Sequence, residues 1–144
     1  MVRTYFGLLM LAIACSSCKS LSESTTRKKE FKHIYLNQFR LAYFRQLLTK
    51  SYNYSAAINQ IVDADHSGFT EAILTEQDWH LIDSLTTLDN RFLQIDSANG
   101  VHRAEGAQGK RPLGYIMDKL RSKWLDSLAR QRWKVNAGSI LSTD

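Results

Sequence analysis

From His33 to Trp133 the apolar residues recur at steps of three and four, and Pro112 is the single proline in the 144-residue chain. That period belongs to an amphipathic α-helix; a half-buried strand alternates at every second residue. One proline and seven glycines leave few turn signals for a sandwich or barrel. The expected class is all-α, a small four-helix bundle. A hydrophobic content of 44% is enough for one globular core and excludes collagen-like and fully disordered chains.

Four helices follow from the pattern. The first, over 32–50, carries Ile34, Tyr35, Phe39, Ala42, Tyr43 and Leu47, and Leu36, Leu41, Phe44 and Leu48 widen its apolar arc. A helix apolar on most sides is expected at the centre of a bundle. The second, over 54–74, has Asn53 as its cap and Gly68 in its middle, where glycine marks either a kink or a close helix–helix approach. Thr75-Glu76-Gln77-Asp78 reads as a capping box with Asp in place of Glu and opens the third helix, which ends near Ile95. Its inner face is predicted as Trp79, Ile82, Leu85, Leu88 or Asp89, Phe92 and Leu93. The fourth runs from Pro112 to Trp133, with Leu113, Ile116, Met117, Leu120, Trp124 and Leu128 inward. Trp79 and Trp124 are expected in the core, and Trp133 either packs on a neighbour or enters a membrane interface.

The N-terminus reads as an address. Arg3 is followed by an apolar run from Tyr5 to Ala14, which at ~1.5 Å per residue spans roughly half a bilayer core. Such a charged start and short apolar stretch are those of a secretory signal peptide. Leu11-Ala12-Ile13-Ala14-Cys15 looks like a bacterial lipobox, although Ala12 stands where leucine is usual. Cys15 is therefore the expected lipidation site, with Cys18 as the rival. The expected layout is a lipoprotein signal over 1–14, a lipid-anchored polar tether over 15–32, the helical domain over 33–134 and a short tail over 135–144. Such a protein works in the cell envelope, facing the periplasm and held at a membrane by its lipid. A formal net charge of +5 is too modest to require nucleic acid as a partner, and the compartment removes genomic DNA.

Between the third and fourth helices lie sixteen residues, 96–111, with Gly100, Gly106 and Gly109 and no period. Bundle connections usually take about 2–8 residues, so a longer loop points to function or to a linker. Its cations His102, Arg103, Lys110 and Arg111 are the expected partner-binding residues.

No catalytic set is legible. HExxH, paired CxxC and GxSxG are absent, and Asp63-Ala64-Asp65-His66 would diverge around a helix instead of meeting one ion. No enzyme activity, metal or cofactor is expected. Two classes of function remain: a protein inhibitor that presents the loop to an envelope enzyme, and a non-enzymatic adaptor lipoprotein of an envelope assembly.

Several stretches also carry a resemblance: Asp63-Ala64-Asp65-His66-Ser67-Gly68-Phe69, then Asp78-Trp79-His80-Leu81-Ile82-Asp83-Ser84-Leu85, Arg91-Phe92-Leu93, Met117-Asp118-Lys119-Leu120 and Leu125-Asp126-Ser127-Leu128-Ala129-Arg130. In this order they resemble the small all-helical immunity proteins of type VI secretion, which neutralise peptidoglycan amidase effectors. The resemblance covers roughly 33–132. The chain departs from the family in lacking cysteines in its helical part and in having Gly68 where alanine is usual. The resemblance implies a periplasmic inhibitor whose partner is a secreted amidase, and a homodimer.

Overall fold

The longest element, α1 (Val2–Ser51), supplies Tyr35, Leu36, Phe39, Ala42, Tyr43, Leu47 and Leu48 to the core. Its steps of four along 35, 39, 43 and 47 keep one face inward, as the wide apolar arc predicts. The computed structural model describes residues 2–68, 72–100 and 109–142, with side chains from residue 25 onward. The remaining helices are α2 (Ala56–Ala64), α3 (Glu76–Asn99), α4 (Pro112–Arg121) and α5 (Lys123–Ser142). The chain is all-α, with five helices instead of four and no strand among the described residues.

The chain divides into two compact units, Met1–His33 and Ile34–Asp144. In the first, the expected tether 15–32 is helical. The exposed segment 25–30 is rich in good helix formers, and the Arg27 guanidinium lies 5.4 Å above the Phe31 ring one turn on. Cys15 falls within α1, and its side chain lies outside the described residues. No helix among the described residues is long and apolar enough to cross a membrane.

In the second unit α1 stops where Asn53 and Tyr54 adopt left-handed backbone, φ 53 and 55. The amide of Tyr54 donates back to the Thr49 carbonyl at 2.9 Å, closing the last turn. Asn53 therefore ends α1, and the N-cap of α2 is Ser55. Helix α2 stops at Ala64, and Gly68 lies beyond it at φ +70, a turn and not a helical kink. Neither the expected kink nor the expected helix–helix approach is what Gly68 serves: from this turn a Cβ would lie 2.6 Å from Cδ2 of Leu41 in α1. Arg45 fixes this turn, donating to the carbonyls of Asp65 and Ser67 at 2.7 and 3.0 Å and to the Asp65 carboxylate at 3.0 Å. The Ser67 hydrogen bonds, joined by Arg45, hold the Asp65 carboxyl down at about 2.

The capping box at Thr75 and Asp78 forms as expected. The inner face of α3 forms in part: Ile82, Leu93 and Asp89, the alternative to Leu88, are buried as expected. Its buried residues are Asp78, Ile82, Thr86, Asp89 and Leu93, whereas Trp79, Leu88 and Phe92 are exposed and Leu85 is half-buried. The helix is turned about its axis so that two carboxylates and a hydroxyl point inward.

The predicted fourth helix is broken at Ser122, whose ψ of 138 is extended. The Ser122 amide and hydroxyl both donate to the Lys119 carbonyl, at 3.1 and 2.6 Å, so the residue competes with the helical ladder. The break resets the phase. Ile116 stays inward, but Leu113, Met117 and Trp124 are exposed, and α5 buries Leu125, Ala129, Trp133 and Asn136 instead. Trp133 packs on Tyr35 with ring centroids 5.4 Å apart, and α5 continues through the expected tail to Ser142.

Candidate protein-binding site

Two buried carboxylates on α3 stiffen the scaffold around the site. Asp78 has no exposed surface and accepts from Arg132 Nε at 2.8 Å, from the Thr75 amide at 3.1 Å and hydroxyl at 2.9 Å, and from Asn136 Nδ2 at 2.9 Å. Burial alone would raise its pKa. The donors outweigh burial and hold it below the usual carboxylate range. Burial, then the Asp78 charge, pushes the Tyr35 phenol upward.

Three turns along, Asp89 accepts from Tyr43 and Tyr115 hydroxyls, the latter at 2.6 Å, and from Lys119 Nζ at 2.9 Å. Its pKa too is lowered against the pull of burial. Burial and Asp89 raise both tyrosines, and Asp89 raises Lys119 although burial opposes it. Lys50, 7% exposed at the end of α1, has the Asp83 carbonyl and carboxylate and the Thr86 and Thr87 hydroxyls within 2.7–2.9 Å.

The Asp89 cluster positions a groove between α3 and α4. Its volume is about 310 Å³, and Phe92, Leu93, Asp96, Arg111, Gly114, Tyr115 and Asp118 line it. Tyr115 stacks its ring on Phe92 at 5.5 Å while its hydroxyl is pinned to Asp89, so this wall is held at both ends. A Cβ added at Gly114 would meet nothing within 4 Å, and the groove is open there.

The groove lies at the base of the segment expected to bind a partner. Arg111 sits at the N-cap of α4 and pairs with Asp96 near the end of α3 at 3.6 Å, bridging the two feet of the connection. Gly109 takes φ +89, which favours glycine, and Lys110 Nζ donates to the Ser51 carbonyl at 3.3 Å. Of the four expected binding residues, Lys110 and Arg111 lie at the foot with their side chains on different partners, Ser51 and Asp96, and His102 and Arg103 lie outside the described residues.

Sequence reasoning missed the partners of both carboxylates, the burial of Asp78 and the exposure of the α3 apolar stripe, and named Asp89 only as an alternative to Leu88 on the inner face. The available signal was Asp89, which shares a helical face with Asp78, Ile82, Thr86 and Leu93. Among the described residues no group of three His, Cys, Asp or Glu side chains could hold a metal. Comparison with known protein families, curated proteins and solved structures finds no match to this chain.

Proposed function

We propose that this is a lipid-anchored envelope protein, attached through Cys15, that acts as a proteinaceous inhibitor of the immunity type and blocks a peptidoglycan amidase effector of type VI secretion. The observation that carries the binding part of this reading is the Asp96–Arg111 bridge beneath the connection, which starts after Asn99 and not at Asp96 as expected, because α3 runs one turn past Ile95. A bridged base beside a rigid aromatic-walled groove suits a segment presented to a partner, because holding the feet reduces the ordering cost of binding. In this reading His102, Arg103, Lys110 and Arg111 contact the target, and Phe92 and Tyr115 receive one of its side chains. The partner is a protein, with no cofactor, metal or nucleic acid involved.

The test is capture from envelope extracts with the full-length protein, followed by an assay of peptidoglycan amide hydrolysis on the captured fraction. The expected result is an amidase whose activity falls as more of this protein is added. Replacing 101–108 by a short Gly-Ser turn should leave the melting temperature nearly unchanged, since loop-closure entropy varies slowly with length. The same change should weaken capture by orders of magnitude. Equal capture by the shortened chain, or a captured fraction without amidase activity, overturns the reading.

A further inference from the structure

The groove between α3 and α4 has unequal ends. Asp96 pairs with Arg111, Phe92 stacks on Tyr115, and Asp89 holds Tyr115 and Lys119, so the two helices run antiparallel along it. At one end the charges of Asp96 and Arg111 offset each other at 3.6 Å. At the other is Asp118, one turn beyond Tyr115 on the lining face of α4. Its carboxylate is exposed and makes no ion pair or hydrogen bond among the described residues, with Arg121 three positions on included. Lys119, the adjacent cation, is held by Asp89 at 2.9 Å. Two acids and one base line the groove, and the unopposed charge is that of Asp118. Between the ends lies aromatic surface, with Phe92 54% exposed, and Gly114 leaves the α4 wall without a side chain.

We infer that this groove takes an arginine side chain of the protein partner, with its guanidinium on the Asp118 carboxylate and its plane against the Phe92–Tyr115 pair. The inference rests on the reading of the groove as the receiver of a partner side chain, and it names the chemistry of that side chain. An unpaired carboxylate and an aromatic face both attract a cation. An acidic side chain would meet Asp118 with the one opposing charge, Arg111, already engaged. An aliphatic one would strip water from the carboxylate and return no donor. Of the two long cations, arginine fits both walls. Its flat guanidinium stacks on a ring and forks onto a carboxylate, whereas the lysine ammonium is a compact, strongly hydrated point charge. The volume of about 310 Å³ is roughly ten times the ~30 Å³ share of a water molecule, which admits one long side chain.

The experiment is a nuclear magnetic resonance titration of the full-length protein in detergent with acetyl-alanyl-arginyl-alanine amide. The same peptide with lysine, or with uncharged citrulline, replaces it in parallel series. The amides of Gly114, Tyr115 and Asp118 should shift and saturate with the arginine peptide, and the lysine peptide should bind less tightly. Citrulline in the peptide, or Asp118→Asn in the protein, should each weaken binding at least about fivefold. Gly114→Leu fills the groove and should abolish the shifts. Asp63→Asn, on the exposed surface of α2, should change nothing. No shift at these three amides, an arginine peptide no better than the citrulline or lysine peptide, or equal weakening by Asp63→Asn overturns the inference. No target is present in the titration, so the two readings fail separately. Arginine-selective binding without a captured amidase supports the groove chemistry and overturns the inhibitor reading, and capture without arginine selectivity does the reverse.

Discussion

Arg132 Nε lies 2.8 Å from Oδ1 of Asp78, joining α5 to the first turn of α3 through a carboxylate with no exposed surface. Asp78 caps its own helix through Thr75 with the same group. One side chain thus starts α3 and fixes where α5 lies against it. Removing one member of such a pair leaves the other buried and uncompensated, which costs more than the pair itself contributes.

Asp78→Ala should therefore destabilise the fold by about 3–5 kcal/mol. Chemical denaturation with matched probes checks this. A loss of under about 1 kcal/mol, the worth of a capping bond alone, would mean that the carboxylate does not bridge the two helices.

The two exposed-versus-buried tryptophans make a paired test of the break at Ser122. Trp133→Ala removes a ring that is 3% exposed and packed on Tyr35, and should cost about 3–5 kcal/mol. Trp124→Ala removes a ring 46% exposed whose contact with Lys119, 5.0 Å above it, contributes about 0.5–1 kcal/mol. Thermal denaturation ranks the two, and the opposite order would restore a single unbroken fourth helix.

Stability should fall on acidification. Asp78 and Asp89 both have folded pKa values below the ordinary carboxylate range, so near that range the unfolded chain binds more protons than the folded one. Their stabilisation is present above pH ~4, the unfolded carboxylate value, and is lost as pH falls below it. Asp89→Asn should flatten the acid limb of a plot of denaturation midpoint against pH. An unchanged limb would remove Asp89 from this account.

At Gly68 the left-handed φ of +70 and the approach of Leu41 Cδ2 act together. Gly68→Ala should cost about 1–2 kcal/mol from the backbone alone. The Leu41 side chain can move its end, so Gly68→Ala combined with Leu41→Ala should carry the backbone cost without the clash. A double-mutant cycle measures the coupling.

The proposed lipid anchor has its own test. Cys15→Ala should abolish globomycin-sensitive processing and lipid labelling, whereas Cys18→Ala should leave both in place. Processing that persists without the Cys15 thiol would move the acceptor to Cys18.

The periodicity of the sequence determined that this chain is helical, that the apolar arc around Tyr35, Phe39, Tyr43 and Leu47 is central, and that Thr75 and Asp78 start a helix. These features rest on local geometry: a helical period, a wide apolar face and a reciprocal cap three residues apart. Tertiary structure alone decided which face of α3 and α5 turns inward. Periodicity ranks faces by apolarity and therefore put Trp79, Phe92 and Trp124 inward, left Leu88 and Asp89 as alternatives, and passed over Asp78 and Asn136. A carboxylate enters a core only when donors meet it there. Those donors stand 46 residues away at Tyr43, 26 at Tyr115, 54 at Arg132 and 58 at Asn136. No window along the chain holds both partners of such a contact, and the energy that orients the helices becomes readable only once they are brought together.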